Sequence, residues 1–131
     1  MFLSDRSWCP DLDDLDPWLE VDFGSPHRLL SIITQGRWNP SQQWVTSYRL
    51  SYKPNNDSAF VSIPEVYSGN TAEPEKVVNL FPVDTVAQVL RLSPVTFNDV
   101  ACIRWDIVGC YIGKYLLAAP RKILCLETCL V

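Results

Sequence analysis

Residues 18–24, Trp-Leu-Glu-Val-Asp-Phe-Gly, are the stretch that decides the fold. The Leu, Val and Phe residues of this stretch alternate with a Glu and an Asp, so the apolar side chains face one way and the charged ones the other. Successive side chains of a β-strand point to opposite faces of the sheet. The pattern therefore predicts a half-buried strand that ends at Gly24.

Similar segments follow along the chain and are separated by turn-forming residues at intervals of roughly ten residues. The further predicted strands cover residues 29–34, 44–52, 60–63, 65–67, 76–81, 86–92 and 100–108. Short strands at such regular spacing are typical of an all-β sandwich or barrel, which we predict for residues 1–110. Residues 111–131 break the pattern, because Pro120 interrupts a helix-compatible apolar stretch, and this tail stays unassigned.

The composition indicates one globular domain with an acidic balance. The chain has 131 residues, of which 47% are hydrophobic and 20% are charged, so wholesale disorder is excluded. The net charge of -4 argues against nucleic acid as a partner, because phosphate binding needs a basic surface. No apolar stretch is long enough for a transmembrane helix. The first ten residues carry charges at Asp5 and Arg6 instead of the apolar core of a signal peptide.

Five cysteines, at positions 9, 102, 110, 125 and 129, are many for an intracellular chain of this length. None belongs to a Cys-x-x-Cys pair of the kind found in zinc ribbons or thioredoxin-like proteins. The pattern favours an oxidising compartment with at least one structural disulfide, and the odd number leaves at least one thiol unpaired or bonded between chains. The single histidine, His27, follows Pro26 in a predicted turn and makes no recognisable catalytic arrangement, so we predict that the protein is not an enzyme.

Four closely spaced carboxylates lie in the segment Pro-Asp-Leu-Asp-Asp-Leu-Asp at residues 10–16. Carboxylate oxygens are ligands that Ca²⁺ prefers, but the segment lacks the Gly and terminal Glu of an EF-hand loop. A solvated acidic loop fits the same pattern. We therefore predict no cofactor, with Ca²⁺ as the alternative.

Six motifs, taken in order, resemble those of the discoidin domain family, whose members are also called coagulation factor V/VIII type C domains. The motifs are Trp18-Leu-Glu-Val-Asp-Phe-Gly24, Ile33-Thr-Gln-Gly-Arg37, Trp44-Val-Thr-Ser-Tyr48, Tyr67-Ser-Gly-Asn70, Ala87-Gln-Val-Leu-Arg-Leu-Ser-Pro94 and Cys102-Ile-Arg-Trp-Asp-Ile-Val-Gly-Cys110. The resemblance implies a distorted eight-stranded jelly-roll barrel of the galactose-binding-like type, with binding loops clustered at one end.

The resemblance also implies how the cysteines pair. Discoidin domain receptors carry a similar Trp-Cys-Pro and a cysteine in the last strand, which implies a Cys9–Cys102 disulfide in this chain. Closing a loop of about 90 residues stabilises a fold by roughly 3–5 kcal/mol, through the entropy removed from the unfolded chain. Family members begin further upstream, with a strand that carries the usual partner of Cys110. We therefore expect an N-terminally truncated domain in which Cys110 is free or mispaired.

The loop at residues 36–43 contains the leading candidate for a ligand contact, Trp38. An exposed tryptophan among polar residues suits a contact anchor, although the ring could instead fold back over the barrel end. Arg37 could pair bidentately with a carboxylate on a ligand or on this protein. The resemblance adds that the collagen-binding receptors use the matching arginine in their ligand surface and place a ligand-contacting acid where Asp5 falls.

The neighbours of this tryptophan decide which ligand classes fit. Asn39, Gln42 and Gln43 beside Trp38 would form an aromatic platform with polar neighbours, which is the arrangement that glycan binding needs. Collagen fits less well, because the corresponding loop of the receptors is longer and rich in glycine.

We therefore predict an extracellular or cell-surface recognition module within a longer secreted or membrane-anchored protein. The module would bind a glycan or a matrix protein, collagen included, through the 36–43 loop, with Asp5 and the 95–100 loop adjoining. The alternative is a peripheral membrane module that recognises phospholipid headgroups with Trp38 as an apolar spike. The net charge of -4 opposes attraction to anionic lipid.

The turn predicted at residues 53–58 contains a modification motif. Asn56-Asp57-Ser58 fits the acceptor triplet for N-glycosylation. Such acceptors lie on the surface of secreted proteins, so we predict sugar at Asn56 if the chain is secreted.

Overall fold

The computed structural model describes residues 7–38, 41–72, 75–112 and 129–130, and the regular elements in this part of the chain are strands. These strands are β1 (Leu19–Gln35), β2 (Trp44–Lys53), β3 (Val61–Ser62), β4 (Tyr67–Ser68), β5 (Val77–Leu80), β6 (Val86–Asn98), β7 (Arg104–Tyr111) and β8 (Cys129–Leu130). They form one curled sheet in the order β3-β2-β6-β1-β7-β8, in which β4 also pairs with β2 and β5 with β1. Every pairing is antiparallel. The prediction of an all-β fold is confirmed.

The alternating stretch around residues 18–24 forms the start of the long strand β1. Leu19, Val21 and Phe23 pack against the core, and the two acidic residues between them are exposed, as the pattern predicts. This part of β1 pairs with β6, from Leu19 opposite Leu92 onward.

A bulge keeps β1 continuous where the sequence predicts a break between two strands. Gly24 has a φ of 77°, a left-handed conformation that glycine adopts without strain. The register with β6 shifts between Asp22 and His27, which marks the extra residues of the bulge. From His27 onward β1 also pairs with β7, so one strand links two parts of the curled sheet.

The core lies inside the curled sheet and is built mainly from the long strands. Its buried members include Leu29, Ile32, Val45, Tyr48, Leu50, Leu90, Leu92 and Ile107. The Tyr48 ring stacks on that of Tyr67 with 5.6 Å between centroids. The hydroxyl of Tyr48 accepts a 2.9 Å hydrogen bond from Asn79 Nδ2. Burial raises the pKa of Tyr48 to about 12, although the bond from Asn79 works in the opposite direction.

Two strand ends differ from the prediction. We expect β6 to end before Ser93-Pro94, but it continues to Asn98. The proline is tolerated because it lies opposite Tyr48, where the ladder between β2 and β6 shifts register and a hydrogen bond is already interrupted. The last predicted strand begins later than position 100, because Asp99 adopts a φ of 62° and the backbone turns before β7 starts at Arg104.

The C-terminal tail contributes one described element. β8 pairs with β7 through Val108 opposite Leu130 and Gly109 opposite Cys129. The division of the chain into residues 1–110 and 111–131 stays a prediction, since residues 113–128 lie outside the described part. Among the described residues, no helix has the length and hydropathy to cross a bilayer.

A disulfide joins Cys9 to Cys102 across 93 positions of sequence, as predicted. Trp8 and Ile103 form an isolated backbone bridge beside it, with nitrogen-to-oxygen distances of 3.0 and 2.9 Å. Cys110 is also disulfide-bonded, so the expectation that it could be free is wrong.

Removing the Cys9–Cys102 disulfide should weaken the fold strongly. Closing a loop of this length restricts the unfolded chain, so Cys9→Ala/Cys102→Ala should lower the free energy of unfolding by about 3–5 kcal/mol. Urea unfolding under oxidising conditions measures the loss, with Ser7→Ala as a control that leaves both sulfurs in place. An unchanged midpoint in the double variant would contradict the assignment.

Stability should fall at high pH because of Tyr48. Its pKa is raised in the folded state because the buried site favours the neutral phenol over the phenolate. The contribution of the neutral phenol to stability is fully present below the unfolded pKa near 10, and it is lost as the pH rises toward about 12. The loss amounts to about 2–3 kcal/mol. Tyr48→Phe removes the ionisable group, so its stability should fall less steeply than that of the wild type in urea unfolding between pH 9 and about 11. Parallel curves would refute this origin.

Candidate functional site

Four short segments, from three distant regions of the sequence, meet where the loop between β1 and β2 leaves the sheet. They comprise residues 8–9, 35–38, 42–44 and 98–104. Arg37 N donates to Gln43 O at 2.8 Å and Gln43 N donates back to Arg37 O at 2.9 Å. This pair closes the base of the loop.

Gly36 allows the loop to start close to the next strand. A Cβ at this position would lie 2.5 Å from Trp44 Cβ, which a real side chain cannot do. The Gly36 carbonyl also accepts hydrogen bonds from Arg104 Nε at 3.2 Å and from its Nη2 at 2.7 Å. The base of the loop is therefore held by packing on one side and by a guanidinium on the other.

Trp38 lies at the tip of this loop and 53% of its surface is exposed. The ring is thus neither buried in the barrel nor wholly in solvent. About half of the residue's surface is therefore available to a ligand. Its role as a ligand contact stays a prediction.

The two glutamines of the loop have different surroundings. Gln43 Nε2 donates to Asp99 Oδ2 at 2.8 Å, and Gln43 Oε1 lies 3.4 Å from Cys102 Sγ. Gln42 is exposed, and its backbone carbonyl accepts a 2.8 Å hydrogen bond from Asn98 Nδ2. The side chain of Gln43 therefore fastens the loop to the residues after β6, whereas the side chain of Gln42 faces solvent.

Arg37 is partly buried beside the disulfide, with its Nη1 3.8 Å from Cys9 Sγ. In the described part of the chain, no carboxylate lies within ion-pair distance of it; the ion pairs found there join other residues. The internal salt bridge that the sequence allows for Arg37 is therefore not found among the described residues. Asp5 and Asn39, the other predicted contacts, lie outside the described residues.

The acidic segment at residues 10–16 does not gather its carboxylates. Within residues 7–38, 41–72 and 75–112, no three His, Cys, Asp or Glu side chains are arranged to hold a metal ion. The segment instead makes a turn, in which Asp14 N donates to Asp11 O and Asp16 N donates to Asp14 Oδ1. Ca²⁺ binding stays a prediction that rests on the sequence.

Sequence reasoning missed a set of exposed apolar residues next to this loop. Leu12 is 90% exposed and Leu15 is 98% exposed, and both line one slot together with Phe97, half of whose surface is exposed. Leucines placed singly among aspartates were a signal that could have been read. Phe97 lies in the 95–100 loop that the sequence places beside the ligand, but the sequence does not single it out, because it predicts that β6 ends before this residue.

The sequence and the fold match those of known proteins. A family model for the F5/8 type C domain covers residues 3–107, so the chain belongs to this family, as its motifs predict. Human neuropilin-1 is 25% identical over 119 residues, which cover 85% of this chain and 13% of neuropilin-1. Coagulation factor V of Pseudonaja textilis is 25% identical over 112 residues, 80% of this chain and 8% of that protein. The chain thus spans only a small part of these relatives.

Solved structures give the same result for the architecture. Wild-type discoidin II from Dictyostelium discoideum has a TM-score of 0.73 and 27% identity, and the match covers 82% of this chain and 42% of that one. The family 32 CBM from C. perfringens NanJ, solved in complex with galactose, has a TM-score of 0.55 at 16% identity and covers 77% of both chains. The predicted discoidin-type jelly-roll is confirmed.

N-glycosylation should occur at Asn56, which is exposed in the turn after β2. The turn is held by Asn55, whose Oδ1 accepts a hydrogen bond from Asp57 N. Asn56 itself is exposed, so its side-chain amide is accessible for glycosylation. β2 is ten residues long, so sugar there would lie about 30 Å from Trp44 and would not cover the 36–43 loop. The chain secreted from eukaryotic cells should lose mass on treatment with peptide-N-glycosidase.

Ser58→Ala should abolish that shift, and Asn55→Gln should preserve it, because Asn55 does not head an acceptor triplet. A secreted wild-type chain with no shift would show that this turn is not modified.

Proposed function

We propose that this F5/8 type C domain is an extracellular, non-enzymatic recognition module that binds a glycan or a matrix-protein ligand through the 36–43 loop. The observation that carries the proposal is the half-exposed Trp38 on a loop whose base is fixed. A ring carried on a loop with a fixed base loses less backbone entropy on binding than one on a loose loop, which makes it an effective contact.

The fixed base supports this role. Arg37 and Gln43 close the loop through paired backbone hydrogen bonds, and Gln43 is fastened to Asp99. Gln42, exposed beside the tip, supplies an amide that can donate to and accept from ligand hydroxyls. Aromatic stacking combined with polar side chains is the chemistry that sugars require.

The disulfides support an extracellular setting, because they persist in oxidising compartments. Two similarities support the other parts of the proposal. The NanJ module was solved with galactose, which fits glycan binding. A venom prothrombin activator subunit from Pseudonaja textilis, 25% identical over 112 residues, is described as non-catalytic, which fits a module that is not an enzyme. Both facts belong to those proteins, and they guide the choice of probes for this one.

Trp38→Ala should weaken ligand binding by roughly tenfold or more, because aromatic anchors dominate such interfaces. The full chain, folded under oxidising conditions, is applied to a glycan array that includes galactosides and to immobilised collagen. Trp18→Ala is the matched control, since Trp18 is 48% exposed but stacks on Arg91 away from the loop.

Equal loss in both variants would place the ligand elsewhere. Binding to phosphatidylserine vesicles that Trp38→Ala abolishes, together with a blank array, would replace the proposal with a membrane-binding function. Urea unfolding of each variant separates lost binding from lost folding.

A further inference from the structure

A slot beside the 36–43 loop is framed by two segments that are fastened together at both ends. One segment is residues 10–18, which precede β1, and the other is residues 93–101, which begin where the pairing of β6 with β1 ends at Leu92 opposite Leu19. They meet again at the Cys9–Cys102 disulfide. One end of the slot is therefore closed by the β-ladder and the other by a covalent bond.

The slot has a volume of about 340 Å³ and walls that are mostly apolar. Its lining includes Leu12 and Leu15 from the segment before β1, and Val95 and Phe97 from β6. These four side chains are 90%, 98%, 44% and 50% exposed. Soluble domains rarely leave several large apolar side chains together in water unless the surface binds something.

One wall of the slot is the edge of a strand. From Pro94 to Asn98, β6 pairs with β2 on one side. On the other side, its pairing with β1 ends at Leu92, and no strand within the described residues continues it. An extended polypeptide fits beside such an edge, because it can use backbone groups there and place alternate side chains in the slot.

The charges of the slot all have one sign. Asp11 and Asp14 line one wall and Asp99 lines the other. Asp99 Oδ2 is held by Gln43, and Asp14 Oδ1 accepts from Asp16 N, so both carboxylates are held in place at the slot. Fixed carboxylates around an apolar surface attract a ligand that combines apolar groups with positive charge.

We infer that this slot binds an extended segment of a partner protein in which apolar side chains alternate with lysine or arginine. The apolar side chains pack between Leu12, Leu15 and Phe97, and the basic ones pair with the aspartates. Anionic lipid and a second copy of this chain, whose net charge is -4, are both repelled by the same carboxylates. The slot does not include Trp38, so this inference does not depend on the proposed function.

Two labelled synthetic heptapeptides test the inference: GLRVKLG, and its acidic counterpart GLEVELG. Fluorescence anisotropy with the full oxidised chain should show binding of the basic peptide that weakens as salt is added, and none of the acidic one. Leu12→Ser/Leu15→Ser should weaken binding roughly tenfold or more, as expected for anchors in the centre of an interface. Both leucines are almost fully exposed, so the variant keeps its fold.

A matched control locates the site. Val83→Ser replaces an apolar residue that is 85% exposed outside the slot, so it should bind the basic peptide like the wild type. Asp11→Asn/Asp14→Asn should weaken binding and flatten its salt dependence, since it removes charge while keeping shape.

Three results would overturn the inference: equal binding of the acidic peptide, unchanged affinity in Leu12→Ser/Leu15→Ser, or binding of neither peptide. In the last case, capture on phosphatidylserine vesicles that the leucine variant abolishes would assign the slot to a membrane instead. Vesicles of phosphatidylcholine alone separate that outcome from nonspecific adsorption.

Discussion

The bond between Cys9 and Cys102 is the constraint on which this end of the molecule depends. It joins residues 93 positions apart and sits beside the Trp8–Ile103 backbone bridge. Arg37 Nη1 and Gln43 Oε1 both lie against its sulfurs. Without it, the segment before β1 and the segment after β6 would be joined only by weak contacts, and the loop and the slot would lose their common support.

Rigid support and exposed tips are divided between different residues at this end. Gly36 permits the close approach to Trp44, and Arg104 holds the Gly36 carbonyl, yet neither presents a surface to a ligand. Trp38, by contrast, makes no contribution to closing the loop and keeps half of its surface in solvent. A binding surface gains when its anchors are ordered before the ligand arrives, because less entropy is then lost on binding.

The two surfaces next to each other differ in chemistry. The 36–43 loop offers an aromatic ring and neutral amides, whereas the slot between residues 10–18 and 93–101 offers leucines, Phe97 and fixed carboxylates. Asp99 belongs to both, since it lines the slot and accepts the hydrogen bond from Gln43. The two surfaces therefore meet at this one carboxylate.

The sequence by itself determined the strands whose side chains alternate, such as residues 19–23, because burial of one face leaves a period of two that needs no partner to be read. The order of the six motifs indicated the family, and the resemblance to discoidin domain receptors implied the Cys9–Cys102 pairing. The polar neighbours of Trp38 marked the loop. Only the tertiary structure decided that Gln43 is fastened to Asp99, 56 positions away, and that Leu12 and Phe97 line the same slot. Such contacts depend on where a curled sheet brings distant segments together. A local pattern of residues carries no information about which distant segment will lie beside it.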